Sequence, residues 1–160
     1  MIRREFLGNL VFCSALAFFL SYLEYYYVTL DGIPYREMCR ADLLNIPPYV
    51  LFPLIPVLAG VAFFPLVNDL LLRRIHSSQM NRQLTISAAN FLWALTLHNT
   101  FYYFLRARFP LPTDPLAGLW ITPGEAPLLG LVNLLGILWP TWYFATIPAT
   151  ISIYVACHVS

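Results

Sequence analysis

The sequence predicts an all-α polytopic membrane protein, a single transmembrane domain over residues 1–160 built as a bundle of about four helices. Three observations predict it. Hydrophobic residues make up 59% of the chain, with a mean hydropathy of +0.67. Charged residues are only 11%, against roughly 25% in a soluble domain, so a water-facing surface could not be covered. Finally, four long stretches carry no charge: 6–23, 43–68, 83–105 and 126–160.

A helix needs about 20 apolar residues to cross the hydrocarbon core. Backbone satisfaction in lipid favours helices over open strands, and the alternation expected of a β-barrel is absent. The spans are expected at about 6–30, 49–73, 83–106 and 138–158. Met1-Ile2-Arg3-Arg4 before an apolar run resembles the start of a secretory signal. The run is longer than a usual signal core and no A-x-A-like site follows it, so the first segment is expected to be retained as a helix.

The second span is marked at its start by Pro47 and Pro48 and contains Pro53, Pro56 and Pro65. Proline removes a backbone donor, and in lipid the freed carbonyls need partners from neighbouring helices. This helix is therefore expected to bend and to pack against protein along at least one face. The last charge-free stretch is too long for one simple span. Trp139, Trp142 and Tyr143 suit an interfacial belt, and Pro140 suits a first helical turn, so the fourth span is started near Leu138. Residues 126–137 then read as a short interfacial helix, the alternative being one long tilted helix from about 127.

All 9 basic residues are arginine. Arg3, Arg4, Arg73, Arg74 and Arg82 fall on one side and Arg36, Arg40, Arg106 and Arg108 on the other, which assigns both termini to the inside. Tyr22, Tyr25, Tyr26, Tyr27, Tyr35, Tyr49, Phe101, Tyr102, Tyr103 and Trp120 gather toward the outer side. The proline-rich outer loop, from Arg106 to Pro127, reads as stiff and extended. That loop, with Tyr25, Tyr26, Tyr102, Tyr103 and Trp120, is the expected contact with a partner subunit.

Ionisable groups within membrane segments are rare and usually functional or paired. Glu24 falls about 27 Å from the inner end of the first span and His98 about 22 Å up the third, at 1.5 Å per residue. This intramembrane pair could be a proton relay, a quinone-binding pair or a polar clamp between helices. Asp69 stands four residues before Arg73, a spacing that suits an inner-interface ion pair. Asn68, Asn90 and Asn133 are expected to bond between helices.

Other chemistries are disfavoured. A net charge of +1 suggests no nucleic-acid partner. His76, His98 and His158 do not form ligand spacings, and Cys13, Cys39 and Cys157 form no C-x-x-C. Neither a metal nor a cofactor is implied, and no nucleophile elbow, dinucleotide or phosphate loop occurs. The run Pro47-Pro48-Tyr49-Val50-Leu51-Phe52-Pro53 is similar to the PPxWVFxP stretch of the tryptophan-rich sensory (translocator protein) family. It lacks that motif's tryptophan, and the four expected spans differ from the family's five, so no site residue is carried over.

The expected role is a small accessory or structural subunit of a larger membrane complex, of respiratory or photosynthetic type. Its partners would be membrane lipids and other membrane subunits, in a bacterial or mitochondrial inner membrane. The alternative is a stand-alone small membrane enzyme or carrier that works through Glu24, His98 and Asn99.

Overall fold

The computed structural model of the chain describes residues 4–28, 54–72, 77–109, 118–121 and 130–159, and these are mostly helical. Among the described residues four helices form the body: α1 (Arg4–Leu23), α2 (Ile55–Leu71), α3 (Ser77–Arg108) and α4 (Tyr143–Val159). A π-helical turn, Glu24–Val28, continues α1. Between α3 and α4 a two-stranded antiparallel hairpin pairs β1 (Leu131–Leu134) with β2 (Ile137–Pro140).

α3 is the central helix, packed against each of the other three. Its buried residues fall in two stripes at spacings of three, four and seven. Ser87, Asn90, Ala94, His98, Tyr102 and Leu105 form one, and Ile86, Ala89, Thr96, Tyr103 and Arg106 the other. At 100° per residue the stripes lie on opposite sides of the helix. The first stripe meets α1 and α2, where Ala94 packs with Cys13, Ala17, Leu58 and Ala62. The second meets α4, where Ile86 packs with Cys157 and Thr96 with Thr146 at 3.1 Å.

α1 presents Cys13, Ala17 and Ser21 to α3, all fully buried and four residues apart. Small side chains at this spacing let two helix backbones approach closely. The approach is close enough for Ser21 Oγ to lie 2.7 Å from both the Ala17 and the His98 carbonyl oxygens. α2 buries Leu58, Ala62, Leu66 and Asp69 along one face. Pro65 lies inside α2, so the Val61 carbonyl four residues earlier has no N–H to accept from. The Asn9 side-chain amide fills that vacancy at 2.8 Å.

Two expectations need correction here. Residues 131–140 do not form the end of an interfacial helix and the start of a fourth span; they form the hairpin, and α4 begins at Tyr143. Leu135 and Gly136 both take positive φ, +56° and +83°, the geometry of a type I′ two-residue turn. Asn133 Oδ1 accepts from the Gly136 N–H at 3.0 Å and braces that turn. A helix would have carried Gly130 and Gly136 at about 1 kcal/mol each. An isolated hairpin is marginal, and this one is held by Leu131 and Leu138, which pack on a cluster of Tyr25, Tyr102, Tyr103, Leu105 and Ile121. Pro140 ends β2 rather than opening a helix, because it pairs opposite Leu131 at the hairpin's open end.

The other departures are of boundary. α3 begins at Ser77, six residues before the expected start, and runs to Arg108. The start of the second span, residues 49–53, and most of the outer loop lie outside the described residues.

Candidate functional site

The first site is the meeting of α1 and α3 near the C-terminal ends of both helices. Glu24 is the first residue of the π-helical turn, and His98 lies on the α3 stripe that faces α1. Their side chains approach to 3.0 Å between Oε2 and Nε2, both buried. The His98 nitrogen makes the contact without a well-aligned hydrogen bond. One residue turn below, Ser21 ties α1 to the His98 backbone. Short π-helical segments recur at functional sites, since the extra residue in the turn aims side chains that a regular helix would not. A carboxylate and an imidazole at this separation can hold or pass a proton, or clamp two helices.

On the opposite side of α3, Asn99 does not join that pair. The Tyr143 hydroxyl donates to Asn99 Oδ1 at 2.8 Å and accepts from Thr100 Oγ1 at 3.1 Å. Thr96 and Thr146 form the next rung toward the start of α3. Deeper still, Asn90 Nδ2 donates to Asn9 Oδ1 at 2.9 Å, and Tyr154 donates its hydroxyl to Asn90 Oδ1. Together with the Asn9–Val61 bond, this network joins all four helices through two asparagines.

Where α2 ends and α3 begins, Asp69 accepts from Gln83 Nε2 at 3.2 Å, a bond from α2 to α3. Arg73, its expected partner, lies outside the described residues. Asn133 bonds within its own turn and so does not link helices.

The C-terminal end of α3 is organised by a residue that sequence reasoning assigned only to the loop-side charge. Arg106 is 1% exposed. Its Nε donates to the Leu119 carbonyl at 2.9 Å, and its terminal nitrogen donates to the Trp120 carbonyl. The guanidinium stands 5.2 Å from the centre of the Tyr103 ring. Gly118 N–H returns to the Arg106 carbonyl at 3.1 Å, and Trp120 Nε1 donates to the Leu138 carbonyl at 3.0 Å. The Tyr25 hydroxyl donates to the Phe109 carbonyl at 2.9 Å, giving a partner to one of the acceptors that a helix C-terminus leaves open.

Tyr25, Tyr102 and Tyr103, expected to meet a partner subunit, are buried in this chain's own core; Tyr26 and Trp120 are only half-buried. Rings run edge to face from Tyr25 to Tyr102 at 5.9 Å and from Tyr102 to Tyr103 at 5.7 Å. Trp120 and Trp139 continue the series at 5.5 Å. These aromatics seal the end of the bundle.

Among the described residues, no three of His, Cys, Asp and Glu come together as metal ligands. Cys13 and Cys157 are free buried thiols; Cys39 is outside the described residues. Sequence reasoning missed Asn9, Ser21 and Arg106. The repeat of small residues at Cys13, Ala17 and Ser21 was the available signal for the first two, since it marks the α1 face that packs on α3.

The segment Gly8–Tyr26, 19 residues, is long and apolar enough to cross a membrane, and Ile55–Leu71 and Tyr143–Cys157 are shorter apolar helices. No protein-family model matches the chain, and neither the curated proteins nor the solved structures give a match.

Proposed function

We propose that this chain is an integral membrane protein whose four helices cross the bilayer, and that it serves as a structural subunit of a larger membrane assembly. The observation that carries the reading is its inverted polarity. Phe12 is 60% exposed, Phe64 64% and Leu71 78%, whereas Asn90 is fully buried and His98 is 4% exposed. A water-soluble bundle would reverse this order. Lipid removes the cost of the apolar exterior, and it makes unpaired polar groups on that exterior expensive.

The polar character of α3 fits its place in the bundle. A helix enclosed by three others can carry Gln83, Asn90, Thr96, His98 and Asn99 because its surroundings are protein. α2 and α4 have 17 helical residues each, about 25 Å at 1.5 Å per residue. That is slightly short of a core of about 30 Å, which tilt of neighbours and local thinning accommodate.

The structural role is supported by how the interior polar groups are used. Asn9, Ser21, Asn90, Thr96 and Tyr143 all bond from one helix to another. Extraction of the native membrane in mild detergent, followed by native mass spectrometry, tests the proposal. The chain should leave the membrane within a heavier complex of several chains. A particle containing only this chain, 18.3 kDa, would overturn the subunit role.

The contact between Glu24 and His98 at a π-helical turn favours a second reading, a small stand-alone carrier or enzyme. That reading requires the isolated chain to move protons or solute across a vesicle membrane, and Glu24→Gln to abolish the movement.

A further inference from the structure

The hairpin between α3 and α4 has two different faces. By register, Leu131, Asn133, Leu138 and Pro140 share one face, and Val132, Leu134, Ile137 and Trp139 share the other. On the first face Leu131 and Leu138 pack against the tyrosine cluster at the outer end of the bundle. On the second face only Trp139, half-buried, reaches back to the bundle, its ring 5.5 Å from that of Trp120; Val132, Leu134 and Ile137 are exposed. An antiparallel hairpin with one face in water carries polar residues there; this one carries none. Its tip is Leu135, 94% exposed and at φ +56°, a position that ordinarily holds Asn, Asp or Gly. An exposed leucine with a strained backbone gains nothing in water.

We propose that the outer face and tip of this hairpin insert into the lipid bilayer at the level where headgroups meet acyl chains. The inference rests on the membrane reading above. Three observations favour lipid as the occupant. No charged residue occurs between 126 and 160, so nothing on the hairpin resists an apolar phase. The face grades from Trp139 at its bundle end to aliphatic Val132, Leu134 and Ile137 and then Leu135, the order of an interfacial anchor that leads into hydrocarbon. Among the described residues the outer edges of the two short strands pair with no further strand, which disfavours the deep hydrocarbon and suits the wet boundary. Interfacial amphipathic helices bury their apolar face roughly 5–10 Å into that boundary, and the hairpin's apolar face is placed at the same level.

Nitroxide labels at single cysteines, in the full chain reconstituted into phosphatidylcholine vesicles, test the proposal. Cys39 is replaced by Ser, and the buried Cys13 and Cys157 stay in place. Leu135→Cys is compared with Phe12→Cys on the exposed face of α1 and with Asn81→Cys on the polar inner end of α3. Ile137→Cys repeats the measurement away from the strained turn, so a disturbed turn does not decide the result. The labels at 135 and 137 should behave like that at 12, relaxed by oxygen and shielded from a water-soluble nickel chelate. If 135 and 137 behave like 81 while 12 stays shielded, the hairpin is in water and the proposal fails with the membrane reading intact. If 12 itself is open to nickel, both fail together. Shielding of 135 and 137 from both reagents would mean that protein, not lipid, covers the face, and would also overturn it.

Discussion

The Asn9 side chain donates to the Val61 carbonyl at 2.8 Å, the acceptor that Pro65 leaves without its helical partner. A proline inside α2 and an asparagine in α1 are thus two halves of one arrangement. Asn9 also accepts from Asn90 at 2.9 Å, so the repair of α2 is tied to the packing of α3.

That relationship predicts an energetic coupling between positions 9 and 65. Asn9→Ala should destabilise the bundle by about 1 kcal/mol, the usual scale for interhelical hydrogen bonds in membranes. Pro65→Ala restores an N–H to the Val61 carbonyl, so Asn9→Ala should cost less in that background. Unfolding titrations in mixed detergent micelles measure the cycle. Strict additivity of the two changes would show that the bond contributes nothing.

Glu24 and His98 should behave as a unit. Replacing either alone removes this contact from the other while it stays buried. Glu24→Leu and His98→Leu should each destabilise more than the double change does, with a coupling of about 1–2 kcal/mol. Equal effects, summing in the double variant, would place the two side chains in separate environments.

Arg106 should govern the order of the segment 118–121. Lysine cannot reproduce a guanidinium fork that bonds two carbonyls while facing a ring. Arg106→Lys should raise amide exchange at Gly118 and the residues after it by about tenfold, equivalent to about 1.4 kcal/mol of local stability. Exchange unchanged from the native rate would remove the arginine from this role.

The topology proposal places the connection between the first two spans and the loop after the third on one face of the membrane. Cysteines introduced at positions 34 and 112, with the native thiols removed, should react with an impermeant reagent from the same side of sealed vesicles. Reaction from opposite sides would break the four-span arrangement.

Helix positions were largely legible in the residues. Charge-free stretches bounded by arginine and acid mark where α1 and α2 lie, because a charge is costly inside an apolar packing unit and accumulates at its ends; the last stretch, 126–160, contains α4 but does not mark its start. α3 extends to Ser77 because Ser77-Ser78-Gln79 is polar without breaking a helix; charge patterning alone sees such a segment as a connection. The hairpin was not legible from charge or apolarity. Leu131–Pro140 is as uncharged as a helix would be, and its signal was Asn133 and Gly136 around a turn whose other residue is leucine.

The sequence by itself determined that this chain is helical, poor in charge and marked by two ionisable residues within apolar stretches. Those properties are local: each depends on a residue and its near neighbours along the chain. Which helix lies at the centre, that His98 faces Glu24 while Asn99 faces Tyr143, and that Asn9 completes a helix broken by Pro65 were decided only in the tertiary structure. Each of those depends on how one helix is rotated against another. That rotation is set by the summed packing of small and large side chains on several helices at once, as where Cys13, Ala17 and Ser21 let α1 settle on α3. Arg106 follows the same logic. Its charge is a property of the residue, but its burial required the carbonyls of Leu119 and Trp120 to arrive from thirteen and fourteen residues further along the chain.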